Sequence, residues 1–65
     1  MNFAEAWALC LDGKRIRRAS WDRHFFWFLV AGRVTERTDM TGDERWRQVL
    51  AATDDELIAT DWEEA

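Results

Sequence analysis

The sequence predicts an α+β fold: an N-terminal helix packed on a small antiparallel β-sheet, with a second short helix near the C-terminus. Three observations carry this. Apolar residues recur at helical spacing over the first eleven positions, the middle of the chain alternates or runs continuously apolar over strand-length stretches, and a helix-start signature reappears at Thr53. At 65 residues the chain forms one domain, 1–65, near the length where a single hydrophobic core gives only marginal stability.

Asn2 followed by Glu5 reads as a capping box, and Phe3, Ala6, Trp7, Cys10 and Leu11 then fall on one face, which predicts a helix from about residue 3 to 12. Asp12-Gly13 ends it, because glycine readily takes the left-handed conformation beyond a helix C-terminus. From Lys14 the period changes to two. The run GKRIRRASW is therefore read as a strand, with Arg15 and Arg17 on one face and Lys14, Ile16 and Arg18 on the other.

Phe25 to Val30 (FFWFLV) is apolar on both faces and predicts a central or interface strand. Ala31-Gly32 is a tight turn, and Arg33 to Thr38 (RVTERT) is placed as the outer arm of a hairpin with the preceding strand. DMTGDE marks another turn. Glu44 to Leu50 fits a strand carrying Trp46, Gln48 and Leu50 on one side, or a helical turn grouping Trp46, Val49 and Leu50; the strand is the reading preferred. Thr53 and Glu56 form a second capping box, so a short helix near 54–59 begins an apolar face with Leu57 and Ile58. A last short strand around 60–64 carries Trp62 inward.

Composition narrows the chemistry. The single Cys10 forms no intramolecular disulfide, and one cysteine with one histidine, His24, assembles no metal cluster of the usual spacing. No cofactor is expected. Ser20 and His24 are too far apart on extended chain to act as a dyad, and the glycines at 13, 32 and 42 make no phosphate loop. The chain is therefore not expected to be an enzyme. No run approaches the roughly 20 apolar residues of a membrane span, and the N-terminus lacks a signal core, so a soluble protein inside the cell is expected.

Five Trp and four Phe are more large rings than so short a chain readily buries within itself, which points to a homo-oligomer interface or a ligand site. Net charge −4 argues against direct nucleic-acid binding through bulk electrostatics. The charge is uneven, however: Lys14, Arg15, Arg17, Arg18 and Arg23 cluster, whereas Asp54, Asp55, Glu56, Asp61, Glu63 and Glu64 fill the C-terminal segment. These two ends attract each other across the fold or across a dimer. What remains is arginine and aromatic chemistry suited to a nucleotide: guanidinium on phosphate, a ring on a base, a carboxylate on ribose hydroxyls. Arg17, Arg18, Trp21 and Asp22 bring these together within six residues. The competing reading of Trp21 is a core or interface anchor.

The opening NFAEAWALCLDGKRIRRASW and the ending DELIATDWE resemble the two terminal motifs of small phage and prophage proteins, the second-type Thoeris anti-defence sponge family. Phe3, Glu5, Ala6, Gly13, Lys14, Ile16, Arg18 and Trp21 fall on the first motif; Leu57, Ile58, Asp61, Trp62 and Glu63 fall on the second. The resemblance implies a homotetrameric α+β protein without catalysis. It implies sequestration of a nucleotide-derived immune signal, a cyclic ADP-ribose isomer or a cyclic oligonucleotide, at sites where protomers meet in the cytoplasm of the infected or lysogenic host. The expected ligand-binding set is Arg18, Trp21, Arg17, Asp22, Phe26, Thr53 and Asp54. Relatives often carry Trp-x-Pro-Ser/Thr before the closing motif; Leu50, Ala51, Ala52 and Thr53 stand there in this chain, and only the hydroxyl position is kept. Relatives also tend to be longer in the middle, so a pocket wall is either absent or rebuilt from Trp46. The alternative function is an acidic inhibitor that binds a host defence complex.

Overall fold

The computed structural model describes residues 1–65 except Arg23, Thr41 and Gly42, and for 39–40 and 43–45 it describes the backbone alone. In chain order the elements are α1 (Phe3–Leu11), β1 (Ile16–Arg18), β2 (Phe25–Val30), β3 (Arg33–Met40), β4 (Asp43–Gln48), α2 (Asp54–Ile58) and β5 (Trp62–Glu64). The strands form one antiparallel sheet in the order β4-β3-β2-β1-β5. This is the α+β architecture expected, with the apolar FFWFLV strand at the centre.

Both helix starts form as their spacing requires. The Asn2 side chain accepts from the Glu5 N–H at 2.8 Å while Glu5 Oε1 accepts from the Asn2 N–H at 3.0 Å. Thr53 and Glu56 do the same for α2, at 3.3 and 2.7 Å. Each cap satisfies N–H groups that have no partner inside the helix. Gly13, at φ +92°, ends α1, and its N–H donates to the Cys10 carbonyl at 3.1 Å. The core forms where α1 meets the sheet: Ala6 and Cys10 from the helix against Ile16, Trp27, Val34 and Trp62. Ala6 and Cys10 are small, which lets the helix backbone approach the large rings of Trp27 and Trp62. Burial pushes the Cys10 thiol pKa up, as for an inert small hydrophobe.

The register fixes which side chains share the helix face. Ile16 pairs with Trp27, Trp27 with Glu36 and Glu36 with Arg47, a row across four strands. Phe26, Phe28 and Val30 therefore lie on the opposite face, with their partners Arg37, Thr35 and Arg33.

Four expectations need correction. Leu11 points outward, because Leu9 rather than Leu11 packs toward the core at the end of α1. β3 is not an outer arm: it runs on to Met40 and pairs with β4, so β4 is the edge. Its polar residues are compatible with an interior strand because one face of an antiparallel sheet can remain solvated. Leu50 lies beyond the end of β4, 86% exposed, so it does not continue the Trp46–Gln48 side. Leu57 and Ile58 begin no buried face, since α2 ends at Ile58 before a second turn could turn them inward. The centre of the turn expected over DMTGDE, Thr41-Gly42, lies outside the described residues.

The β2–β3 hairpin closes through Ala31 at φ 51° and Gly32 at φ 78°. Two consecutive positive φ values suit a two-residue turn whose twist matches the flanking strands, and alanine is poorly suited to the first of them. Ala31→Asn is expected to raise stability by about 0.5–1 kcal/mol, and Gly32→Ala to lower it by about 1–2 kcal/mol. Urea denaturation of the two variants checks this through midpoint shifts of opposite sign.

Candidate functional site

The basic run after α1 divides as its alternation dictates. β1 pairs with β5 through Ile16↔Glu64, Arg17↔Glu63 and Arg18↔Trp62, so the basic segment meets the acidic C-terminal segment within one chain. On the uncovered face Arg17 Nε donates to Glu63 Oε1 at 3.3 Å. On the helix side Arg18 Nε donates to Asp61 Oδ1 at 2.8 Å. The second contact is the shorter, and the hydrogen bond from Arg18 holds the Asp61 carboxyl below the usual carboxylate range. Backbone bonds lock the corner: the Ala19 N–H donates to the Asp61 carbonyl at 2.9 Å and the Trp21 N–H to the Arg18 carbonyl at 3.0 Å.

Arg18 and Asp61 line a shallow cleft of about 470 Å³ together with Asp55, Ile58, Ala59 and Thr60. Residues from the two ends of the sequence thus form one concave surface beside α2. The Arg18 Nη atoms have no protein partner among the described residues and are available to an anionic oxygen. Asp55 and Asp61 supply acceptors for hydroxyl groups. The cleft holds one guanidinium against two carboxylates, so by itself it suits a ribose better than a pyrophosphate.

A second cleft, of about 460 Å³, opens on the other flank of α2. Val49, Leu50 and Ala51 form an apolar wall, and Glu36, Arg47 and Glu56 supply polar groups. Glu36 is held from both sides: its Oε1 accepts the Trp27 indole N–H at 3.2 Å and its Oε2 accepts Arg47 Nη2 at 2.9 Å. Thr53, the cap of α2, lines this cleft too, in the segment where the resemblance places the family's Trp-x-Pro-Ser/Thr.

Within one chain the seven residues expected to bind ligand are not brought together at a single place. Arg18 lines the first cleft and Thr53 the second. Trp21 is half-buried in an aromatic cluster, with ring centroids 5.0 Å from Phe25 and 5.3 Å from both Trp27 and Trp62. That is the anchor arrangement, and the Arg18 cleft is lined without it. Asp22 holds its own turn by accepting from the His24 N–H at 2.9 Å. Asp54 is exposed in the first turn of α2. Arg17 and Phe26 lie on the opposite face of the sheet. Trp46, considered as a replacement pocket wall, also faces that way: its ring lies 5.2 Å from Phe28.

Sequence reasoning missed Glu36, Arg47 and Asp55. For Glu36 a signal was present, since the period of two in RVTERT puts it on the same side as Val34, and a carboxylate on the apolar side of a strand needs partners. For Asp55 there was none, because neighbouring Asp54 and Glu56 are equally acidic and only the seating of α2 separates them. Among the described residues no group of His, Cys, Asp and Glu is placed to hold a metal ion, and no helix is long and apolar enough to cross a membrane.

Comparison with known proteins gives one match. The model of the Tad2-like family, the Thoeris anti-defense 2-like domain, matches residues 1–65. No curated protein and no solved structure matches the chain.

The depressed Asp61 pKa has a consequence for stability. Ionised Asp61 stabilises the fold above the ordinary aspartate value, about 3.9; that contribution is lost as pH falls through the lower folded value. Asp61→Asn removes both the pairing and its titration. The variant is expected to be less stable than the parent at pH 7, with the gap narrowing as pH drops below about 4. Thermal melts from pH 2 to pH 7 measure it.

Proposed function

The chain belongs to the Tad2-like family of Thoeris anti-defence domains, and from that membership we propose that it acts by sequestering a nucleotide-derived immune signal without chemically changing it. The observation that carries this reading is the meeting of the two terminal motifs at one cleft, with Arg18 from the first beside Ile58 and Asp61 from the second. Arg18, oriented by Asp61, supplies charge-assisted hydrogen bonds to a phosphate oxygen. Asp61 and Asp55 accept ribose hydroxyls, and the exposed Ile58 gives an apolar contact beside them. Thr53, Glu36 and Arg47 offer a second polar and apolar surface within reach of the same helix.

One guanidinium does not balance a pyrophosphate. The proposal therefore includes a homo-oligomer in which a neighbouring copy adjoins the cleft and adds cationic or stacking groups. Sequestration follows mass action: the dissociation constant must lie below the working concentration of the signal. The class of signal proposed is a cyclic ADP-ribose isomer, with cyclic oligonucleotides as a second class.

A second reading has its own observation. Leu50 and Ile58, the latter 77% exposed, stand beside Asp54, Asp55 and Glu56, an acidic and apolar ridge suited to a basic protein groove. A pull-down with Asp54→Lys, a residue that lines neither cleft, separates the two, since partner capture by the ridge weakens while small-molecule binding at Arg18 persists.

Calorimetry with cyclic ADP-ribose isomers and cyclic dinucleotides tests the main reading. At least one member of the panel is expected to bind and to be recovered with unchanged mass, and Arg18→Ala is expected to weaken it by roughly 10- to 100-fold, as for loss of a charged hydrogen bond. Absence of heat with the whole panel would sink the proposal.

A further inference from the structure

On the open face of the sheet the rings of Phe26, Phe28 and Trp46 form a row, with centroids 5.5 and 5.2 Å apart, and the guanidinium groups of Arg15 and Arg37 lie over it. The chain meets that row with its own side chains. Beside α2 the situation differs, because the cleft lined by Arg18, Asp55 and Asp61 holds a carboxylate that the fold itself does not use.

The two carboxylates of the cleft are not equivalent. Asp61 Oδ1 accepts from Arg18 Nε at 2.8 Å, and backbone N–H groups of Asp61 and Ser20 join that bond in holding its carboxyl below the usual range. Asp61 is thereby committed to fixing the corner between β1 and β5. Asp55 is exposed in the first turn of α2, and among the described residues its side chain has no hydrogen-bond or ion-pair partner. A carboxylate with both oxygens available matches two adjacent hydroxyl donors, accepting one on each oxygen.

The charge of the cleft favours the same occupant. Arg18 is offset by Asp61, so Asp55 leaves the lining net negative, and Asp54 and Glu56 flank it in sequence. A neutral diol meets no repulsion there, whereas a phosphate ester at the same place sets anion against anion.

We propose, resting on the sequestration reading above, that Asp55 is the specificity-determining residue of the Arg18 cleft. It selects a ligand that presents a ribose with both its 2′- and 3′-hydroxyls unesterified, near the phosphate oxygen met by Arg18. Closing ADP-ribose into a ring leaves a vicinal diol intact on at least one of its two riboses, whereas in a 3′,5′-linked cyclic dinucleotide every 3′-oxygen is esterified. At this cleft the first class of signal is therefore preferred to the second.

Calorimetry of the parent, Asp55→Asn and Asp54→Asn proteins tests this, with cyclic ADP-ribose isomers and cyclic di-AMP as probes. In the parent an isomer is expected to bind at least about tenfold tighter than cyclic di-AMP, the order of the hydrogen bonds to a charged acceptor that the dinucleotide lacks. Asp55→Asn keeps one acceptor oxygen but loses the charge. It is expected to weaken the isomer by about tenfold and to leave cyclic di-AMP unchanged or slightly tighter. Asp54→Asn removes the same bulk charge from a position that lines neither cleft, and both affinities are expected to stay within about twofold of the parent. Equal weakening of both probes by Asp55→Asn, no weakening of the isomer, or the same loss with Asp54→Asn would each overturn the role of Asp55 while sequestration stands. Absence of heat with every probe would overturn both.

Discussion

The burial of Trp62 is the constraint on which the rest of this molecule depends. Its residue is 2% exposed, its ring lies 5.3 Å from Trp21 and Trp27 and 5.6 Å from Phe3, and its indole N–H donates to the Glu56 carbonyl at 3.0 Å. Its backbone N–H donates to the Met1 carbonyl at 3.2 Å. One side chain thereby joins α1, the turn after β1, the central strand and α2. In a domain of this size, total stability is on the order of 3–10 kcal/mol, and truncating a buried tryptophan costs about 3–5 kcal/mol. The C-terminal strand is therefore part of the minimal fold and not an appendage.

Seating Trp62 also sets the electrostatics. Once β5 pairs with β1, alternation along the two strands sends Arg17 and Glu63 to the open face and Arg18 to the helix side, beside Asp61 in the turn before β5. The basic run consequently serves two surfaces and cannot close on one anion. On the helix side its guanidinium is matched by carboxylates, which makes a polar cleft of low net charge. On the open face Arg15 is stacked on Phe26, which contributes a cation–π contact and shields a ring that would otherwise meet water. A chain with a small core thus keeps its large rings in two layers, one under α1 and one under arginines.

Much of the architecture was legible because local signals agreed with the global fold. Both capping boxes, the glycine after α1, the apolar central strand and the inward Trp62 each follow from spacing and residue type alone. The failures share a cause: they concern faces whose partners are distant in sequence. Leu11, Leu57 and Ile58 are apolar at helical spacing, yet whether an apolar stripe is covered depends on helix length and on what lies opposite. β3 reads as an outer arm because its polarity is that of a half-solvated strand, and sequence does not say that β4 returns to pair with it. At the candidate site, Arg18 was legible from the motif, but the separation of Arg17 from Arg18, and of both from Trp21, is set by the β1–β5 register. The outer aromatic row was the least visible, because Phe26, Phe28 and Trp46 become neighbours only through pairing of β2, β3 and β4.

The central claim, that Trp62 makes β5 an integral part of the fold on which both surfaces rest, is tested most directly by native-state hydrogen exchange. The amides of Trp62 and Ala65, which donate to the Met1 and Arg15 carbonyls, are expected to exchange only through global unfolding, with the same free energy and denaturant dependence as those of Phe26 and Phe28 in β2, which face β3. Exchange of Trp62 and Ala65 by a separate low-energy opening, while β2 stays protected, would contradict it.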